Sequence, residues 1–182
     1  SPVKINVVVQ RGVNDHTLVD TARYFKGTGA IVRFIEFMDV GTKNGWELSK
    51  VVTSKEVIEI IGQEFALEPA DPNYSGEVAS RYRYVDGKGE IGVISSVSEP
   101  FCGNCTRARL STDGKLVTCL FASGGTDFKT AMRDGAADDE IAGMIARVWT
   151  GRDDRYSELR SKDTEFQAGT AGDKVEMYYI GG

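Results

Sequence analysis

Hydrophobic and polar positions alternate along Val3-Lys4-Ile5-Asn6-Val7-Val8-Val9-Gln10. That period predicts a β-strand with Val3, Ile5, Val7 and Val9 on one face and Lys4, Asn6, Val8 and Gln10 on the other. After the loop Arg11-Gly12-Val13-Asn14 the period lengthens. Asn14 or Asp15 is placed to cap a helix with Leu18, Val19, Ala22 and Phe25 on its inner face, and Gly27 and Gly29 stop it. Residues 30–38 read as a second strand. Strand, helix and strand with short connections form a βαβ unit, so the two strands are expected to be parallel. Parallel strands are usually apolar on both faces. The polar face of the first strand therefore has two readings, a barrel strand lining a functional interior or an edge strand with one wet face.

Asp39 to Ser49 is a glycine-containing loop around Trp46. Thr53-x-x-Glu56 is a capping box that opens a helix with Val57, Ile60, Ile61 and Phe65 inward. Pro69, Pro72 and Gly76 mark a loop. Residues 80–85 and 90–94, joined by Asp86-Gly87-Lys88-Gly89, form a hairpin. Thr106–Thr112 and Lys115–Leu120, joined around Asp113-Gly114, form another. The pattern thus switches from parallel α/β to antiparallel pairs near residue 75. Thr126 is expected to cap a helix running to Arg133. Asp138 or Asp139 is expected to cap the next, with Ile141, Ile145, Val148 and Trp149 inside. Residues 150–173 are polar with little periodicity and read as a mobile surface segment. Val175–Ile180 is a short apolar tail before Gly181-Gly182. The fold class is α/β, divided into residues 1–52 and residues 53–182.

The chain has 182 residues and a net charge of −5. It is long enough to bury roughly 70% of its unfolded surface without disulfides. It lacks the basic footprint of a nucleic-acid binder, so any polyanion site must be local. No apolar run reaches the ~20 residues of a membrane helix, and no signal-peptide pattern appears. Three cysteines do not make a disulfide framework, which suits a reducing, cytoplasmic compartment. The chain opens in mid-pattern, as a piece of something longer would.

The three cysteines carry the candidate chemistry. Cys102, Cys105 and Cys119 have the spacing C-x2-C-x13-C, with Arg107 and Arg109 just after the second. Thiolates hold a soft metal centre, and guanidinium groups hold an anion beside it. A structural zinc ion requires a fourth ligand, and His16 is the only imidazole in the chain. An iron–sulfur cluster on three thiolates leaves one iron open. Spacing alone leaves cluster and zinc both standing. A redox C-x-x-C normally opens a helix, whereas a β-like run follows this one. Alternation puts Cys105, Arg107 and Arg109 on one face. A two-residue turn at Asp113-Gly114 pairs Cys119 with Ala108. A three-residue loop, Thr112-Asp113-Gly114 with a left-handed Gly114, pairs it with Arg107, and a shared metal requires the latter. Lys4 is ordinarily a surface charge, Met38 a core filler and Gly181-Gly182 a frayed end. A terminal Gly-Gly also admits a carrier reading, a tail to be adenylated or thiolated. Glycine backbone can also enter a cleft closely.

Taken together, Val3–Val8, Arg11–Asn14, Val32–Met38, Cys102-x-x-Cys105-x-Arg107-x-Arg109, Asp113-Gly114-x-Leu116-x-x-Cys119-Leu120-Phe121 and Ile180-Gly181-Gly182 resemble the C-terminal half of the GTP 3′,8-cyclase family. These are radical S-adenosylmethionine (SAM) enzymes of molybdenum cofactor synthesis. The resemblance covers nearly all of the chain outside residues 150–173. It implies the last βα units of an incomplete TIM-like barrel, followed by an antiparallel-hairpin and helical C-terminal region. It implies that Cys102, Cys105 and Cys119 hold a second 4Fe-4S cluster whose open iron meets the guanine of GTP. It implies GTP contacts from Lys4, Arg107, Ala108 and Arg109, a SAM contact from Met38, and a Gly181-Gly182 tail that reaches the active site. In the family a first cluster cleaves SAM, and the radical takes a ribose hydrogen before carbon bonds to C8 of the purine. The cysteines of that first cluster, C-x3-C-x2-C, are absent here. The chain is therefore expected to be inactive by itself, to need the N-terminal half, and to belong to a homodimer when that half is present. The rival reading is a zinc-stabilised anion-binding module without redox chemistry.

Overall fold

In the computed structural model, which describes residues 2–41, 43–162 and 174–180, the first strand shows the alternation its sequence dictates. Strand β1 (Lys4–Val9) exposes Lys4, Asn6 and Val8 and turns Ile5, Val7 and Val9 inward. A 3-10 turn (Asp15–Thr17) leads into α1 (Leu18–Phe25), which buries Leu18 and Ala22. Asn14 does not cap this helix. Its side chain bonds back to β1, accepting from the Gln10 N–H at 2.8 Å and donating to the Val8 carbonyl at 2.8 Å. Strand β2 (Ile31–Glu36) returns parallel to β1 as expected, with Ile5 opposite Val32 and Val7 opposite Phe34.

Helix α2 (Ser54–Gly62) opens on the predicted capping box. The Glu56 N–H donates to Thr53 Oγ1 at 3.2 Å, and the Thr53 N–H donates to Glu56 Oε2 at 2.9 Å. Its inner stripe is Val57, Ile61 and half-buried Ile58. Ile60, expected inside, is 36% exposed because it lies one residue off that stripe. The stretch around Pro69, expected as loop, contains β3 (Leu67–Ala70), which pairs antiparallel with β4 (Ser80–Tyr84). Proline is admitted because β3 is an edge strand, where a missing N–H breaks no second ladder. Strand β5 (Glu90–Ile94) completes the predicted hairpin with β4 and lies parallel to β2. The sheet order is β1-β2-β5-β4-β3. β1 is thus an edge strand with one wet face among the described residues, and the sheet is open. The core under it comprises Val9, Leu18, Ala22, Val32, Phe34, Val52, Val57, Ile61, Tyr84, Ile91 and Val93. Burial pushes the Tyr84 hydroxyl up to about 12.

The chain forms two compact units, Ser1–Met38 with Trp46–Cys105, and Asp39–Gly45 with Thr106–Gly182. In the first unit α2 and β3–β5 share the sheet and core of β1 and β2.

The second unit contains a sheet of β6 (Arg109–Leu110), β7 (Lys115–Val117) and β8 (Thr126–Asp127), all antiparallel. Thr126 lies in β8 and caps nothing. The carboxylate of Asp127 instead accepts from the Thr130 N–H at 3.0 Å at the start of α3 (Lys129–Arg133). Helix α4 (Asp138–Thr150) starts from Ala137, whose N–H donates to Glu140 Oε2 at 2.8 Å, while Asp139 accepts the Glu140 N–H at 3.0 Å from within the first turn. Ile141, Met144 and Val148 are half-buried, whereas Ile145 and Trp149, expected inside, are 47% and 42% exposed. Helix α5 (Tyr156–Lys162) lies in the stretch expected to lack regular structure, and residues 163–173 of that stretch lie outside the described residues. No helix among the described residues is long and apolar enough to cross a membrane.

Candidate functional site

In the first unit, the exposed face of β1 and β2 gathers the polar candidates. Lys4 stands 3.9 Å from a Glu77 carboxylate oxygen. Arg33, opposite Asn6 in the parallel register, donates from Nε to Asn6 Oδ1 at 2.8 Å. Arg33 was not among the sequence candidates. Its signal was available, since it shares the outward parity of Lys4 and Asn6. Met38 follows the end of β2, and one residue before it the Phe37 carbonyl accepts from Trp46 Nε1 at 2.8 Å.

Cys102 opens a single 3-10 turn (Cys102–Asn104) closed by the Cys105 N–H, which donates to the Cys102 carbonyl at 3.2 Å. No helix follows, which argues against a thioredoxin-like pair. Both thiols are half-buried, and all three cysteines are free of disulfides. His16, the possible imidazole partner of a zinc site, lies exposed in the 3-10 turn before α1, and the zinc reading gains no support there.

In the second unit, the β6–β7 hairpin has the three-residue loop. Arg109 pairs with Val117 and Leu110 with Leu116. The Ser111 N–H donates to the Lys115 carbonyl at 2.9 Å, and Gly114 has φ +82°. The same register carried two pairs further sets Cys119 opposite Arg107. The ladder itself stops at Arg109 and Val117, so strand pairing is shorter than the sequence implied. Arg107 and Arg109 are half-buried while Ala108 between them is exposed, as alternation requires. The Phe121 N–H donates to Cys119 Sγ at 3.5 Å. A backbone donor on sulfur is the kind of contact that tunes a cluster-bound thiolate.

The chain that precedes Gly181-Gly182 is tied to this hairpin. The Val175 N–H donates to the Ala122 carbonyl at 2.9 Å, Tyr179 Oη donates to Asp113 Oδ2 at 2.5 Å, and Ile180 is buried. Gly181 and Gly182 lie outside the described residues. Lys174 Nζ lies 3.1 Å from Asp39 Oδ2 and 2.6 Å from Tyr156 Oη, and Tyr156 stacks on Phe121, two residues past Cys119, at 4.5 Å.

The hydroxyls of Ser111 and Tyr179 hold the Asp113 carboxyl down at about 2, from an ordinary 3.8, with Lys115 adding its charge. A depressed pKa stabilises the hairpin above the ordinary carboxylate range, and that contribution is lost as pH falls through about 2. A carboxyl-carbon NMR titration should therefore place Asp113 near 2 and move it upward in Tyr179→Phe. A midpoint at 3.8 in the unmodified chain would show that these bonds do not form in solution.

Residues 30–158 match the family model described as Molybdenum Cofactor Synthesis C, and the chain belongs to that family. It is 50% identical over 181 residues to the GTP 3′,8-cyclase of Staphylococcus saprophyticus, covering 99% of this chain and 53% of that relative. The corresponding enzymes of Staphylococcus epidermidis and Staphylococcus aureus are 49% and 48% identical over the same 99% and 53%. The chain spans about half the length of the curated relatives it matches, and that half is C-terminal.

Proposed function

We propose that this chain is the cluster- and GTP-binding half of a GTP 3′,8-cyclase in molybdenum cofactor synthesis. The observation that carries the reading is the identity of 50% across 99% of the chain to a protein of that name, in a sequence that presents C-x2-C-x13-C with its two arginines. Three thiols at C-x2-C-x13-C are the donor set of an iron–sulfur group, although no three metal-ligating side chains are gathered into a site among the described residues. The three thiols form no disulfide and are half-buried, one accepts a backbone N–H, and the loop length is the one a shared centre demands.

Cys102, Cys105 and Cys119 would hold a 4Fe-4S cluster, which would offer Lewis-acid chemistry toward the purine of GTP. Arg107 and Arg109 bind and orient GTP, with exposed Ala108 leaving room between them. Lys4 supplies a cation for the triphosphate, and Arg33 adds a second charge on the same sheet face. Met38 packs against SAM, and Gly181-Gly182 forms the slender end that enters the site. In the whole protein residues 1–52 are the last part of an incomplete barrel, and residues 53–182 form the region that binds the cluster and GTP. The radical-SAM half, with its own cluster, supplies reductive cleavage of SAM. The complete enzyme is a cytoplasmic homodimer, and this half alone turns over nothing.

Anaerobic reconstitution tests the reading. The expected product is a brown protein with about four iron and four sulfide per chain, and Cys119→Ser should lose most of both. One zinc per chain without sulfide would establish the anion-binding module instead. No deoxyadenosine should form from SAM and reductant, and its formation by this chain would overturn the claim that the radical chemistry resides in the other half.

A further inference from the structure

Glu36 ends β2 on the inward parity of Val32 and Phe34 and is 2% exposed. A carboxylate at such a position is costly unless its lone pairs are filled. Four donors fill them. Oε1 accepts from the Ser54 N–H at 2.7 Å and from the Ser98 hydroxyl at 2.5 Å. Oε2 accepts from the N–H groups of Val97 and Ser98 at 2.7 and 2.8 Å. Ser54 is the first residue of α2, so one bond lies at a helix N-terminus, where a negative group is favoured. The other three fall on two consecutive residues of the segment that leaves β5.

That segment leads into the cysteine turn. Ser95, Ser96 and Val97 are buried, and only Glu99, Pro100 and Phe101 separate Ser98 from Cys102. Pro100 removes one backbone rotation from that short path. The sheet does not fix Val97 and Ser98, because β5 ends at Ile94. Their backbone N–H groups are satisfied by Glu36. One side chain therefore sets where the chain stands as it enters the Cys102–Asn104 turn.

We infer that Glu36 is a positioning residue for Cys102 and Cys105. It touches no substrate and acts through the Val97–Ser98 backbone. The inference rests on the cluster reading given above.

Glu36→Gln in the full chain tests it. The amide keeps the size but offers a donor where one pair of donors already points. Thr53→Ala is the control, because it weakens the same end of α2 and leaves the bonds to Val97 and Ser98 intact. Three readouts are compared, namely amide hydrogen exchange at residues 97 and 98, iron per chain after anaerobic reconstitution, and the electron paramagnetic resonance spectrum of the reduced cluster. In Glu36→Gln, exchange at both amides should rise about tenfold or more, iron loading should fall, and the spectrum should shift. Thr53→Ala should match the unmodified chain in all three. If Glu36→Gln gains the faster exchange yet loads iron and reads identically to the unmodified chain, the inference is overturned alone. An unmodified chain that takes up no cluster overturns the cluster reading and the inference with it. Where Glu36→Gln fails to fold, Ser98→Ala removes only the hydroxyl donor and should give a smaller shift of the same kind; no change in loading or spectrum then overturns the inference.

Discussion

Phe34→Ala should destabilise the first unit by about 3–5 kcal/mol. Phe34 lies in the central part of the sheet, opposite Val7 on β1 and Val93 on β5, and is fully buried. Removing the ring takes a fully buried aromatic out of a core that also contains Leu18, Val57 and Ile61. Neighbours on two paired strands cannot close on the space without breaking ladders, which puts the cost at the upper part of the usual range. The unit supplies its own reporter, since the chain has two tryptophans and Trp46 is the one in this unit. Urea unfolding followed by Trp46 fluorescence in a Trp149→Phe background measures the loss. Ile60→Ala, at a position 36% exposed, should cost about 1 kcal/mol or less. Equal losses at the two positions would mean that the burial pattern described above is wrong.

Gly114→Ala should cost about 2–4 kcal/mol, from two sources. The φ of +82° is a left-handed conformation that an alanine adopts at a penalty. A Cβ built there would also lie 2.6 Å from Lys129 Cβ and 3.3 Å from its backbone. Lys129 cannot step aside freely, because the Gly114 carbonyl accepts from the N–H groups of Phe128 and Lys129 at 3.0 and 3.2 Å. Gly87→Ala separates the two sources. Gly87 has φ +73° and nothing within 4 Å of a built Cβ, so only the conformational penalty of about 1 kcal/mol applies. Hydrogen exchange at the Ser111 and Phe128 amides reads the loss at Gly114. A penalty no larger than that at Gly87 would show that the turn and α3 separate without cost. Weakening the three-residue loop favours the two-residue turn, which shifts the register of β6 against β7 by one residue.

Much of this structure could be read from short-range pattern. The βαβ unit, the capping box at Thr53 and the β4–β5 hairpin each depend on residues fewer than thirty apart in the chain, whereas the sequence left a two- and a three-residue loop at Asp113-Gly114 both open. The failures have the same explanation in reverse. Ile60, Ile145 and Trp149 are apolar, but which side of a short helix is covered depends on elements distant in sequence. β3 was hidden by Pro69, which only an edge position excuses. Glu36 stood in plain view at a buried-face position, yet its partners are 18 to 62 residues away. Arg33 was legible in principle, since the β1–β2 register that the βαβ unit implies sets it beside Asn6 on the outward face. The cysteine spacing and the arginine pair were legible because they are local, and they carried the family with them.

The make-up of the second unit has a consequence for synthesis on the ribosome. Asp39–Gly45 belongs to it, yet its other residues begin at Thr106. Asp39 reaches its ion-pair partner Lys174 across 135 residues. At about 5–20 residues per second, that partner is translated roughly 7–27 seconds after Asp39. The first unit has all its residues once Cys105 has left the ribosome, so it can fold before Lys174 is available to Asp39. A nascent chain stalled with Cys105 just outside the exit tunnel should therefore resist protease along its sheet and be cut between Asp39 and Gly45, and the cut should disappear only when Lys174 has also emerged.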